Sequence, residues 1–360
     1  MNRSALRPLP PLPPSAWAGR RAHPPPFPLD GSSWRVYRRA RHALYRGVAA
    51  VGLQPGDEVL VPAYHHGSEV EALVAAGLDC RFYEAGDGLA PDDALLEALL
   101  GPRTRALHLI HYLGFPQDAA RWRSWCDARG LLLFEDAAQA WLGSSGGRPL
   151  GSYGDLAIFC AYKTFGVPDG GLMVLRSAPP AGPAGRRRLG LRAVAGGHLK
   201  WVWQRRRLAG SGPSSSGEAP YDPAADFALG DPDSRPTAAT LALLRRFDWR
   251  HARQARRRNY SYLAGRLSGR VWPLFPELVD GAVPFVFPVR TTGKRELLDR
   301  LRRCGVTAFD LWSVPHPRLH TAGFPRAGSL RASVVALPVH QELRPVDLDR
   351  IADAVLAAGP

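Results

Sequence analysis

The spacing of apolar residues changes twice along this chain, and the changes divide it. Up to residue 30, prolines interrupt every window, as in Pro8-Leu-Pro-Pro-Leu-Pro-Pro14, and no regular period survives. Residues 1–30 are therefore expected to form an extended tail or an arm over a neighbour. From 31 to 177 two patterns alternate. Helical spacing runs over 38–51, 68–77, 92–100 and 119–129, and short apolar runs occupy 58–61, 80–83, 106–113, 131–134, 156–159 and 172–175. The run 131–134 is apolar at every position, as a strand covered on both faces must be. This alternation predicts an α/β domain whose mostly parallel central sheet is wrapped by helices.

The alternation stops at 178–232, a stretch rich in Pro, Gly and Ser with a basic centre. Within 186–207 lie Arg186, Arg187, Arg188, Lys200, Arg205, Arg206 and Arg207, while Leu191, Ala195, Leu199 and Val202 keep helical spacing. Such a helix could touch an anionic membrane or a partner, but a solvated surface insertion in the large domain (31–235) is the favoured reading. After 235 the chain turns helix-rich, with a strand at 283–289 and helices at 295–303 and 346–357, so 236–360 is expected to be a smaller C-terminal α/β domain.

Composition changes this picture little. The net charge is +15, yet 44 of the 47 basic residues are arginine in a chain also rich in Gly and Pro, which points to a bias acting everywhere. No recognition-helix, zinc-finger or RNP pattern accompanies the charge, so no nucleic-acid role is assigned. Cys80, Cys126, Cys160 and Cys304 are far apart and form no C-x-x-C, which speaks for reduced thiols rather than a disulfide framework or a metal site. No apolar run approaches the roughly 20 residues of a membrane span, and a cytoplasmic protein is expected.

Two segments carry chemistry. At 156–159 a strand runs directly into Cys160-Ala-Tyr-Lys163, and Gly170-Gly171 follows shortly after. A lysine at a strand exit before a glycine pair is placed for close approach of a planar cofactor. Lysine can lose its proton and attack an aldehyde, which arginine cannot do; the alternative is a surface lysine. In the second segment, Asp136 follows the buried run 131–134, where ligands of open α/β sheets gather. A buried carboxylate needs a cation, and the pyridinium nitrogen of pyridoxal 5′-phosphate is one. Capping a helix is the alternative role.

Together these segments resemble the DegT–StrS type of pyridoxal-phosphate-dependent sugar aminotransferase. Gly56-Asp-Glu-Val-Leu-Val-Pro62 looks like that family's first core strand and Glu135-Asp-Ala-Ala-Gln-Ala140 like its E-D-A-A-Q-A. Gly151-Ser-Tyr-Gly-Asp155, Pro168-Asp-Gly-Gly171 and Leu337-Pro-Val-His340 match further elements in the right order. The resemblance implies fold type I of these transferases and a homodimer. It makes Lys163 the Schiff-base lysine and proton shuttle, pairs Asp136 with the pyridine nitrogen and brings Gln139 to the 3′-oxygen. His66 falls where the family stacks an aromatic on the ring. The phosphate-binding S-G-T becomes Arg39-Ala40-Arg41, the serine on the lysine strand becomes Cys160, and the N-x-R that reaches a neighbour's phosphate becomes Asp233-Ser-Arg235. An amino acid, by resemblance glutamate, would donate to a keto acceptor such as a nucleotide-linked keto-sugar. A non-catalytic cofactor-binding scaffold and a sugar dehydratase are the alternatives, the latter requiring histidine in place of Lys163.

Overall fold

Seven strands form the central sheet of the computed structural model, which describes residues 6–18, 24–31, 33–177, 182–205 and 226–357. They are β1 Trp34–Tyr37, β2 Glu58–Pro62, β3 Asp79–Tyr83, β4 Thr104–Ile110, β5 Leu132–Ala137, β6 Leu156–Cys160 and β7 Gly171–Leu175. Their spatial order is β1-β7-β6-β5-β4-β2-β3. The five strands from β6 to β3 run parallel, while β7 and β1 add antiparallel to one side. Every residue of β2, β6 and β7 is buried, which is why the sequence shows apolar runs there rather than alternation.

Helices α1 Ala40–Ala50, α2 Ser68–Ala75, α3 Asp93–Leu99 and α4 Ala119–Asp127 fall within a few residues of their predicted places. Asp92 and Asp118 start α3 and α4 by accepting from the N–H groups of Leu95 and Arg121. The short helix α5, Ala161–Phe165, leaves β6 directly. From the basic stretch emerges α6, Leu191–Arg205; the remainder of that stretch at 206–225 lies outside the described residues.

Two of the predicted strands end elsewhere than the sequence suggested. The run at 131–134 continues to Ala137, so Asp136 lies inside β5 rather than beyond it. The run at 106–113 stops at Ile110, and Leu113 turns the chain with φ +56°. Strand β1 has no counterpart in the sequence reading.

Helix α7, Ala238–Leu243, leads into α8, Trp249–Arg266, whose N-terminus Asp248 caps. A second sheet follows, with β8 Trp272–Pro273, β9 Val286–Arg290, β10 Phe309–Asp310 and β11 Val334–Pro338 in the antiparallel order β8-β9-β11-β10. Helices α9 Lys294–Arg303, α10 Pro325–Ser333 and α11 Pro345–Leu356 accompany it. The strand expected from 283 begins only at Val286. The N–H groups of Val283 and Phe285 are committed instead to the carbonyls of Gly114 and Leu113, tying this part to the turn after β4.

Of the Pro-rich stretch, residues 1–5 and 19–23 lie outside the described residues. Residues 6–18 pack against this same chain: Leu6 exchanges backbone hydrogen bonds with Gly305 and Thr307, while Leu12 and Ala16 join the core that holds Trp141 and Phe159, and Leu6 and Leu12 are both buried. No helix among the described residues is long and apolar enough to cross a membrane.

Candidate active site

The carboxyl ends of β5 and β6, the start of α2 and the start of α1 surround a cavity of about 240 Å³. Lys163, Asp136, Gln139, His66, Ala40, Arg41 and Cys160, all singled out from the sequence, line it, while Asp233 and Arg235 do not. Lys163 stands on α5, one turn beyond Cys160 at the end of β6, with its ammonium 5.9 Å from the centre of the Phe285 ring. The helix bearing it is fastened from behind. Buried Arg256 of α8 donates through its Nη2 to the carbonyls of Lys163 and Thr164 at 3.1 and 3.0 Å, and through Nη1 to those of Pro284 and Phe285. Its Nε donates to Gln341 Oε1 at 3.0 Å, and burial brings the guanidinium down to about 9.

The adjacent carboxylates Glu135 and Asp136 divide their work because neighbouring strand residues face opposite ways. Asp136 faces the cavity, with one oxygen accepting from Ala138 N at 2.9 Å and the other 3.6 Å from Nε2 of buried His108. Glu135 faces away and accepts from the backbone N–H groups of Gly151, Tyr153 and Gly154 and from His111 Nε2. Burial alone would raise its pKa, but the His111 bond and the backbone donors hold it below the usual range. The Gly151-Ser-Tyr-Gly-Asp155 element is thus a clamp around Glu135. Gln139 turns its amide oxygen to the N–H of Leu113 at 3.0 Å, leaving the amide nitrogen for the cavity.

At the other end of the cavity, α1 begins at Arg39 with extended backbone and no side-chain cap, so the first N–H groups of the helix remain open to an anion. Arg41 donates through Nη1 to Asp226 O at 2.6 Å, while its buried Nε has no hydrogen-bond partner among the described residues. Arg39 lies over the Tyr162 ring at 5.0 Å. Of the glycine pair after Lys163, Gly171 serves this end. A Cβ on Gly171 would stand 2.1 Å from the Arg39 carbonyl carbon and 2.2 Å from Ala40 N, so only glycine lets α1 start against β7. Cys160 is fully buried, and burial raises its thiol pKa despite Lys163 nearby. Asp233 and Arg235 are committed within the chain, the first paired with Arg46 and the second donating to Pro183 O at 2.9 Å.

Glu69, Tyr162, Asp226 and Trp312 also line the cavity and were not singled out from the sequence. Glu69 accepts from the N–H groups of His66 and Gly67. Burial opposes its charge, but His66, His65 and these donors bring it down to about 2. Burial pushes His65 down to about 4, and burial with Arg256 nearby pushes His340 down to about 3. All three shifts act in one direction. As pH falls below 6.5 the unfolded chain takes up protons on these histidines that the folded chain refuses, and below about 4.5 the same holds for Glu69. Stability is therefore expected to fall continuously from about pH 6.5 towards 2, and His65→Gln should flatten the upper part of that curve in urea melts at stepped pH.

The cavity's groups fit pyridoxal phosphate: a primary amine, a carboxylate for a ring nitrogen, an amide for the ring oxygen, and an uncapped helix start. The buried Nε of Arg41, which has no partner among the described residues, suits an acceptor such as a phosphate oxygen. Among the described residues no group of three or more His, Cys, Asp or Glu is arranged to hold a metal ion.

Comparison with known proteins identifies the fold and the family. The fold is that of the fold-type-I pyridoxal-phosphate-dependent transferases. The crystal structure of Streptomyces venezuelae DesV, solved in complex with a ketimine intermediate, superposes with a TM-score of 0.65 at 26% identity, covering 89% of this chain and 83% of that one. Residues 38–181 match the DegT/DnrJ/EryC1/StrS aminotransferase family. The dTDP-3-amino-3,4,6-trideoxy-α-D-glucose transaminase of Streptomyces venezuelae is 30% identical over 326 residues, 87% of this chain and 79% of that protein. The chain therefore belongs to the DegT/DnrJ/EryC1/StrS aminotransferase family. The GDP-perosamine synthase of Vibrio cholerae is 31% identical over 138 residues, an alignment spanning only 38% of either protein.

Proposed function

We propose that this protein moves the amino group of an amino acid, glutamate by family likeness, to a nucleotide-linked keto-sugar, working as a homodimer with pyridoxal phosphate. The observation that carries this reading is the placing of Lys163, the single lysine lining the cavity, together with Asp136 and Gln139. When bound, the cofactor supplies an electrophilic carbonyl carbon and a ring that accepts the negative charge developing on the substrate carbon. Everything else falls to the chain's own groups. Lys163 Nζ is the nucleophile that holds the cofactor, and then carries a proton to and from the donor's Cα. The Asp136 carboxylate keeps the ring nitrogen protonated, with His108 behind its second oxygen. The Gln139 amide nitrogen donates to the ring oxygen, and its own oxygen is already fixed by Leu113. The Ala40 and Arg41 N–H groups and the Arg41 guanidinium hold the phosphate.

A stopped-flow half-reaction tests this. Mixing cofactor-loaded protein with glutamate should replace the visible absorbance band by one near the ultraviolet, and a keto-sugar nucleotide should restore it. Indifference to every amino donor while the band is present would defeat the proposal.

A further inference from the structure

Helix α6 is held to its own chain by one face. Val194 and Gln204 are buried, His198 Nδ1 meets Leu12 O at 3.0 Å, and Trp17 Nε1 donates to His198 Nε2 at 2.9 Å. Trp201 Nε1 and Gln204 Nε2 donate to the side chain and carbonyl of Glu342, each at 3.0 Å. The approach is fixed as well, because the N–H groups of Ala238 and Ala239 bond the carbonyls of Arg188 and Leu189. The helix therefore presents a defined outer face.

That face is apolar. Leu191 and Leu199 are 67% and 45% exposed, with exposed Ala195 between them at four-residue spacing, and Leu189 just before the helix is 67% exposed. Lone exposed leucines need no explanation. Three together are different, and they account for three of the eight large apolar side chains exposed among the described residues. Arg192 and Lys200, both exposed, are their neighbours on the helix, residues 182–205 contain no acidic side chain, and of the exposed arginines before the helix Arg186 and Arg188 line a separate groove with Asp169 and Asp231. A second copy of this face would bring like charges together. An anionic bilayer satisfies both properties, since its acyl boundary accepts leucines and its phosphates pair with guanidinium groups.

We propose that the outer face of α6 docks on an anionic lipid surface, Leu191 and Leu199 entering the headgroup boundary while Arg187, Arg192 and Lys200 meet lipid phosphates. The inference stands apart from the amino-transfer reading.

Flotation of the full chain with vesicles tests it. The protein should float with equimolar phosphatidylglycerol and phosphatidylcholine and stay behind with phosphatidylcholine alone. Raising salt from about 0.1 M to about 1 M should weaken recovery about ten-fold. Leu191→Glu with Leu199→Glu should lower it by a similar factor at an unchanged melting temperature. Should that pair disturb folding, Arg187→Gln with Arg192→Gln reads out the same charge dependence. Equal recovery on both lipids, no recovery on the anionic one, or indifference to these substitutions overturns the proposal. So does a fall in mass by light scattering in the leucine variant, with the parent chain ignoring vesicles, which would assign the face to a second copy.

Discussion

Exchanging Lys163 for arginine is expected to lower amino transfer by about 10⁴-fold or more while leaving the melting temperature close to that of the parent chain. The two halves of this expectation have separate causes. Arginine keeps the positive charge on a slightly longer side chain, so any electrostatic contribution to the cavity survives. What disappears is an amine that can shed its proton, attack a carbonyl carbon and then shuttle a proton at Cα. Folding should be indifferent because no hydrogen bond or ion pair of the Lys163 ammonium is seen among the described residues, its nearest partner being the Phe285 ring at 5.9 Å. Single-turnover kinetics and a thermal melt on one preparation check both. Borohydride should fix the cofactor covalently to the parent chain at Lys163 and leave the arginine variant unlabelled. A variant that kept even a hundredth of the parent rate would remove the lysine from the mechanism.

How far the sequence revealed this molecule depended on the environment of each element. The buried parallel strands were visible because burial on both faces leaves only apolar residues, whereas β1 was not, because Trp34-Arg-Val-Tyr37 mixes types on the flank of the sheet. Apolar spacing in 186–207 correctly marked a helix but not its orientation. The chain holds α6 by Val194, Trp201 and Gln204, and turns Leu191, Ala195 and Leu199 outward. Within the site, Lys163 and Asp136 could be found because their chemistry is scarce and their positions follow apolar runs. Glu135 could be separated from Asp136 only by strand register, which a motif does not display. The glycine pair was noticed but the reason for Gly171 was not, since its crowding against Arg39–Ala40 joins segments more than 130 residues apart. Arg256 gave no signal at all: it is one arginine among 44, its partners are carbonyl oxygens, and no carboxylate betrays it.

Arg256→Met should cost about 4 kcal/mol of stability and, at temperatures where the variant remains folded, lower kcat more than it raises KM. The guanidinium makes five hydrogen bonds in an almost dry environment, with 2% of the residue exposed. Methionine fills comparable volume but leaves the carbonyls of Lys163, Pro284 and Phe285 without the donor they now share; Thr164 O retains Gln341 Nε2 at 3.0 Å. Those carbonyls come from two places, the end of the helix carrying Lys163 and the segment leading into β9, and Arg256 on α8 is the bolt between them. Loosening it displaces the Lys163 amine relative to Asp136 without touching any group that contacts substrate, so the loss belongs in the rate of the chemical step. Lysine at this position keeps a charge but has three donors on one compact head, and cannot span both carbonyl pairs. Arg256→Lys is accordingly expected to recover part of the stability in urea melts and little of kcat. If Arg256→Met melted like the parent, or if its whole effect lay in KM, the guanidinium would be filling space rather than holding the nucleophile in place.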